Sequence, residues 1–525
     1  MTGTSGASPV SGASSASGAS SASGTGGTSV LGADPAALWE SVTREVAAGR
    51  RFAGLMATQR PDGVLLTAHL ADDAGIAAAE ALLPPDAGRY PALTPMLGAA
   101  FWYEREIHDL FGITPDGHPR LAPLVLPRGI GDHGAGAAPP RPGAPGGPEI
   151  IEPDTRQLPR HVMGPGLFTI PHGPVRSGVL ESIEYLVETP GEDIPHLNMR
   201  VHYKHRGIEK RFEGMPAADG VLLAERTEGV ASVAHALAYC HAIERIAGVP
   251  VPWAAGLIRV LHAELERAAN HLDTAARLCD AAGLAVATAR FGLHKERVAR
   301  LVSRMCGSRF GRGVVVPGGV TGMPKVPGAA LLAEIAALER AIDGDAATLM
   351  GTASFLDRLR GTGPLSSQRA REHGALGPIG KASGFSDDAR GARPYDGYPA
   401  LGLGDLHEHS GGDALARLRL RWDELRQSFH LLRQAVGELG EAAGDGPLRA
   451  ACEVTGGRAV GWAEAPQGEV LYDVAITGGR ITRCHARSAS FHNLVLFHEV
   501  FAGDILTDFP FIEASFGLSV AGVAR

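Results

Sequence analysis

Arg226, Glu228 and His235 lie within ten consecutive residues, "RTEGVASVAH", that are otherwise small or apolar. A carboxylic acid, a guanidinium and an imidazole so placed are the side chains of proton transfer. Two further groups share that chemistry. "PHGPVRSG" carries His172, Arg176 and Ser177, and "HYKHRGIEKRF" carries His205, Glu209 and Lys210. The second group reads either as a proton path or as a solvated turn in which Glu209 pairs with a base. Arg226 and Glu228 read as a buried pair, either functional or holding the end of a helix in place. His235, set among apolar residues, reads as a hydrogen-bonded core histidine. "HEH", His407 to His409, offers two metal donors in a Gly-rich loop without a third ligand nearby, so no metal is expected there.

Other chemistries find no support. The cysteines, Cys240, Cys279, Cys306, Cys452 and Cys484, are odd in number and far apart with no C-x-x-C pair, so neither a disulfide framework nor a zinc or iron–sulfur site is suggested. They read as cytosolic thiols. No G-x-G-x-x-G occurs, so NAD is expected at most in another subunit. "GPIGKAS" lacks phosphate-loop spacing, and no G-x-S-x-G elbow is present. A net charge of −8 with no Lys/Arg-rich run argues against nucleic acid. No run reaches the roughly 18–20 apolar residues that cross a bilayer, so the chain is expected to be soluble or peripheral.

The elements that must hold these residues fall into two units, as expected for 525 residues. Residues 1–32 form a Ser/Gly/Ala tract with neither a basic nor an apolar signal region, an expected disordered tail rather than a signal peptide. Residues 33–128 open on "DPAALWESVTREVAAG", with Asp34 as N-cap and Pro35 at the first helical position, and continue with two strands around "PDG". That predicts a small α+β domain. Residues 129–149 are a Gly/Pro linker. Residues 150–525 begin with strands paired around "TPGED" and end in a hairpin through Gly478 and Gly479. Between them, "LIRVLHAELERAANHLD" places Leu257, Leu261, Leu265, Ala269 and Leu272 on one stripe, with Arg259, Glu266 and Arg267 off it, and "DALARLRLRWDELRQSFHLLRQAVGELGEAA" is a second long helix. The fold class is therefore α+β, a small N-terminal domain followed by a helical bundle with peripheral β-structure.

Several stretches carry a family likeness. "FWYEREIHDLFGITPDGHPRL" resembles the signature of the C-type (30 kDa) subunit of respiratory complex I. "HYKHRGIEKRF", "AHALAYCHAIERIAGVPVPWAAGLIRVLHAELERAANHL", "VVVPGGVTGMP" and "DFPFIEASFGLSVAGVAR" resemble the D-type subunit of that complex and the large subunits of the membrane-bound [NiFe] hydrogenases. The fused C-then-D order is similar to the formate hydrogenlyase type of large subunit, in group 4. The resemblance implies a [NiFe]-hydrogenase-large-subunit-like bundle in the second unit.

In the hydrogenase branch, four cysteines in two C-x-x-C pairs hold nickel and iron. The matching positions here are Glu228 and Ala231, then Ser519 and Gly522. Neither alanine nor glycine has a donor, so no nickel–iron centre is expected, nor an active hydrogenase. In the D-type subunit of complex I, an Arg-x-Asp-Tyr sequence and a histidine of the first β-turn hold a quinone head group. Here Arg226 and Glu228 keep the arginine and the acid, Gly229 replaces the tyrosine, and His172 is retained with Arg176 or Ser177 where the head-group histidine would fall. The resemblance implies a component of a membrane-associated respiratory or hydrogenase-like oxidoreductase complex on the cytoplasmic face of the membrane. Its expected partners are an iron–sulfur protein like the B-type subunit of complex I and membrane ion-translocating subunits. No cofactor is expected on this chain itself. Electrons would pass from the partner's iron–sulfur cluster to quinone or another acceptor, with Arg226 tuning the cluster, Glu228 handling a proton, and His205 and Glu209 leading protons toward the membrane. The alternative is a catalytically silent scaffold that keeps the hydrogenase fold.

Overall fold

The structure is a computed structural model, and it describes residues 29–30, 34–126, 166–176, 181–404, 406–407, 409–442 and 446–525. The expected linker, the tail apart from 29–30, and Ser177 lie outside the described residues.

The first helix, Pro35–Ala47, starts where its sequence says, because the Asp34 carboxylate accepts the Ala36 N–H at 3.0 Å and Pro35 lacks a donor to lose. It buries Leu38, Trp39 and Val42 against an antiparallel sheet of Arg51–Arg60, Gly63–Asp72 and Gly75–Leu83. Gly63 closes the "PDG" turn at φ +140°, and a Cβ there would meet the Leu83 carbonyl at 1.9 Å. Only glycine fits. The helix Phe101–Phe111 spends its acids on structure: Glu104 accepts the N–H groups of Leu93 and Thr94 (2.7 and 2.9 Å), and Asp109 those of Leu124 and Val125 (2.7 and 2.8 Å).

Beyond it, Phe168–His172, Glu184–Thr189 and His196–Arg200 form a three-stranded antiparallel sheet around "TPGED". The bundle is built on Ser232–Ala247, Trp253–Ala281, Ala285–Cys306, Gly328–Met350 and Ala414–Ala442. A second three-stranded sheet, Gly456–Ala465, Gly468–Thr477 and Arg480–Arg487, lies across the helix Ser232–Ala247. Contact there is close: a Cβ on Gly461 would stand 2.0 Å from the Ala238 carbonyl. One hydrophobic core fills the bundle, and another joins Trp39, Leu66 and Tyr103 of the N-terminal sheet and helices to Tyr185, Phe491 and Phe509.

The long helix Trp253–Ala281 meets water at Trp253, Arg277 and Asp280, but not at the two arginines that the stripe leaves off its apolar face. Arg259 and Arg267 are as buried as the leucines, because neighbours cover them and supply partners. Arg259 binds Glu244 at 2.5 Å and Asp396 at 2.9 Å, and Arg267 donates to the carbonyls of Glu464 and Ala465 at 2.8 and 3.1 Å. Lower on the same interface, Arg390 binds Glu264 (3.1 Å) and Asp388 (2.8 Å), while Lys381 and His271 each bind Glu424 (2.7 Å).

Glu464 has no such cation. One oxygen accepts the Ala389 N–H at 3.1 Å, the other has no partner, and Glu469 stands directly across the strand pair. Burial, then Asp388, push its carboxyl up to about 8 against the pull of Lys381 and Arg267. A carboxyl raised above its unfolded value of about 4.3 stabilises the fold most below that pH, and the contribution is lost as pH rises through 8. Glu464→Gln does not titrate. Thermal melts should therefore show the Gln variant gaining on wild type by a few degrees between about pH 5 and pH 8, with no further gain above. A constant difference across that range would show Glu464 ionised throughout.

Candidate functional site

The four positions that resemble metal-ligand positions come together around one buried carboxylate. Residues 226–231 form the turn between the short helix Gly220–Ala224 and the helix Ser232–Ala247, and the chain end 519–522 packs against it. Glu228 is 1% exposed. Its Oε1 accepts the Ser490 hydroxyl at 2.7 Å, and its Oε2 lies 3.2 Å from His235 Nε2. A Cβ on Gly522 would meet that Oε2 at 2.8 Å, so the carboxylate occupies the space a side chain at 522 would need. Ala231 is fully buried at the helix start. Ser519 points away: its hydroxyl donates to Glu181, which also accepts the N–H groups of Val520 (2.9 Å) and Ala521 (3.1 Å).

Behind Glu228 the polar contacts continue into the protein. His235, wholly buried and hydrogen-bonded, places Nδ1 2.9 Å from the Tyr472 hydroxyl, which is 3.2 Å from Thr227 Oγ1. Burial holds the Tyr472 phenol well above its usual range, so it stays a neutral donor and acceptor. Arg206 fastens the two halves of the site, donating to the carbonyls of Thr227, Ala521 and Ala524.

Arg226 is not the partner of Glu228. Its side chain is 52% exposed and folds back on the Leu222 carbonyl and on Glu225, because the turn that carries it aims residues 226 and 228 in different directions. Glu209 is buried rather than solvated. His485, Arg483 and Arg525 surround it at 2.9, 2.8 and 3.1 Å, and although burial pushes its carboxyl up, these bases hold it well below the usual range. Arg525 also binds Glu106 at 2.8 Å. His205 lies nearby, and burial lowers its basicity. Lys210 is exposed and pairs with Glu213, outside that cluster.

His172 and Arg176 belong to a third place. Arg176 forks onto Glu513 at 2.7 and 2.8 Å, Tyr185 donates to the same carboxylate at 3.0 Å, and His172 packs edge-on against Phe509. Gly229 is exposed, with nothing within 4 Å of where its Cβ would be. His407 and His409 both face Asp423, at 3.2 and 2.8 Å. Ser490, Tyr472, Thr227 and Arg206 escaped sequence reasoning. Strand alternation turns Tyr472 inward but names no partner for it, and nothing local marks Ser490, which lies 262 residues from Glu228.

Comparison with known proteins identifies the family. The model of the respiratory-chain NADH dehydrogenase 49 Kd subunit matches residues 282–451 and 448–525, and that of the 30 Kd subunit matches residues 49–145, together more than half of the chain. Formate hydrogenlyase subunit 5 of Escherichia coli is 27% identical over 443 residues, 81% of this chain and 75% of that protein. The fused C/D subunit of the NADH-quinone oxidoreductase of Cereibacter sphaeroides is 26% identical over 488 residues, 83% of this chain and 82% of that protein. A chain of the membrane-bound sulfane sulfur reductase, an archaeal respiratory membrane complex, superposes with a TM-score of 0.63 at 25% identity, over 69% of this chain and 99% of that one. Among the described residues no helix is long and apolar enough to cross a membrane. An N-terminal C-like unit, a D-like bundle and a chain end folded back on the helix turn of residues 226–231 place this chain in the family of fused C/D-type proteins of complex I related to group 4 hydrogenase large subunits.

Proposed function

We propose that this chain is the C/D-type subunit of a membrane-associated respiratory oxidoreductase in which a buried carboxylate stands where relatives hold a metal pair. Electrons arrive from an iron–sulfur cluster of a partner like the B-type subunit of complex I and leave on quinone or another small uncharged acceptor. The protein lies peripherally, on the cytoplasmic face, against membrane subunits.

The observation that carries the reading is the environment of Glu228. A nickel–iron pair needs soft thiolates, and the residues around Glu228 do not fit one. Ala231 and Gly522 have no donor atom, the Ser519 hydroxyl is committed to Glu181, and the Glu228 carboxylate lies against Gly522. Cys240 is nine residues along the same helix from Ala231, roughly 13 Å away. What the site does offer is proton handling. Glu228, His235, Tyr472 and Thr227 form a continuous hydrogen-bonded series, and each member both gives and accepts a proton in turn when an acceptor beside it is reduced.

The filled space around Glu228 also favours a second reading, a catalytically silent scaffold, since a packed carboxylate leaves no void for a ligand at that point. The two part on one experiment. The purified assembled complex is expected to contain less than stoichiometric nickel and to reduce a short-chain quinone when its cluster is reduced. Stoichiometric nickel or hydrogen uptake would overturn both readings, and a complex that assembles but reduces no acceptor would leave the scaffold.

A further inference from the structure

The helix Ala285–Cys306 turns Phe291, Val298 and Val302 to the bundle, and its opposite side carries arginines interleaved with apolar residues. At 3.6 residues per turn, Val286, Arg290, Leu293, Arg297, Arg300 and Arg304 fall within about a quarter of the circumference. They form a stripe about 27 Å long with no acid on it. Its apolar members are left in water, Val286 78% and Leu293 55% exposed. Just past the helix end, Phe310 is 54% exposed, with the Arg312 guanidinium 5.3 Å from its ring.

Charge on this face is lopsided. Residues 285–313 contain seven Lys and Arg against one acid, Glu296, in a chain whose net charge is −8. Carboxylates do meet these bases, but they sit lower than the guanidiniums. Glu296 accepts from Arg300 and Arg309 at 2.8 and 2.9 Å, and is 30% exposed where Arg300 is 74% exposed. Asp345 meets Arg290 at 2.7 Å and Glu334 meets Arg304, each carboxylate again more covered than its base. Arg297 has no ion pair among the described residues. The outermost layer of the face is therefore cationic.

That composition selects an occupant. Interfaces between proteins deplete charge at their core, and here a guanidinium interrupts the apolar surface at nearly every turn. An anionic bilayer surface suits both parts of the stripe, with arginines in the phosphate layer and valine, leucine and phenylalanine reaching the acyl boundary. We propose that the outer face of the helix Ala285–Cys306, with Phe310 at its end, docks on the anionic phospholipid headgroups of a bilayer. Attachment through this face is independent of Glu228 and of the acceptor that the complex reduces.

Flotation of the full-length chain with phosphatidylcholine vesicles, with and without a quarter of phosphatidylglycerol, tests the assignment. At low salt the anionic vesicles are expected to retain at least tenfold more protein than the neutral ones, and the excess should shrink severalfold as salt rises from about 0.05 to 0.5 M. The triple variant Arg297→Gln, Arg300→Gln, Arg304→Gln should lose at least tenfold of the anionic binding and Leu293→Asn a few-fold, each melting within a few degrees of wild type. Removing three exposed charges elsewhere, with Arg358→Gln, Arg360→Gln and Arg371→Gln, should change binding less than twofold. Should the triple variant fail to fold, Leu293→Asn reads the face alone. Equal retention by the two kinds of vesicle, undiminished binding of a folded stripe variant, or an equal loss in the control variant would each overturn the proposal. So would a complex that drops a partner subunit in the triple variant while wild type shows no lipid preference, a result that would give the face to an acidic protein.

Discussion

Glu469→Ala is expected to lower the stability of the chain by about 3–5 kcal/mol, the cost of leaving buried charge without its partner. Glu469 is wholly buried and receives three guanidinium groups: Arg51 at 2.8 Å, Arg393 at 2.9 Å and Arg487 at 2.5 Å. Each comes from a different part of the chain. Arg51 opens the first strand of the N-terminal sheet, Arg393 lies between the bundle helices Gly328–Met350 and Ala414–Ala442, and Arg487 ends the last strand of the C-terminal sheet. Arg487 also donates to the Ala53 carbonyl at 2.9 Å, and Arg393 to that of Asp72 at 3.3 Å, so the network ties the N-terminal unit to the rest. Without the Glu469 carboxylate, Asp387 is the one carboxylate among the described residues left paired to Arg51 and Arg393. Chemical denaturation of wild type and variant measures the difference. Burial alone would raise the Glu469 carboxyl, but the three arginines hold it well below the ordinary range. Its contribution is thus present above the unfolded value of about 4.3 and lost as pH falls through the depressed one, so the gap between the proteins should narrow in acid. A loss below 1 kcal/mol at pH 7 would mean that the three arginines find water or other acceptors.

Much of this architecture was legible because local rules and burial agree. The Asp34–Pro35 start, the "PDG" and Gly478–Gly479 turns and the long apolar repeats each fix an element by short-range chemistry, and each forms where expected. The site was half legible. Spacing and family likeness brought Glu228, Ala231, Ser519 and Gly522 to attention, and the fold does assemble them. What spacing cannot give is direction. Arg226 and Glu228, two residues apart on a turn rather than in a regular helix, point one to solvent and one to the interior, so the expected pair does not form. Nor can an amphipathic count see that Arg259 and Arg267 are enclosed, since their partners Asp396, Glu464 and Ala465 lie 137 to 198 residues away. Buried polar contacts of that reach, an ion pair at Arg259 and carbonyl hydrogen bonds at Arg267, are set by tertiary packing.

The second large effect is on turnover. Glu228→Gln keeps the shape of the side chain and a hydrogen-bonding group toward both Ser490 and His235, so the complex should assemble in normal yield. It removes the acid–base group. If Glu228 passes a proton to the reduced acceptor, cluster-dependent quinone reduction should fall by about 10²-fold or more, the usual worth of a positioned acid or base. Glu228→Ala is a harsher change, because it strands the Ser490 hydroxyl and His235 Nε2 in the interior at about 1–3 kcal/mol for each unsatisfied group. Comparing the two separates chemistry from packing. A proton-handling site predicts a Gln variant as inactive as the Ala variant yet as stable as wild type, whereas a scaffold predicts that Gln changes nothing and Ala only lowers the melting temperature. Tyr472→Phe, which cuts the series two members further in, adds a readout that a scaffold would not move: it should lower turnover while the complex still assembles.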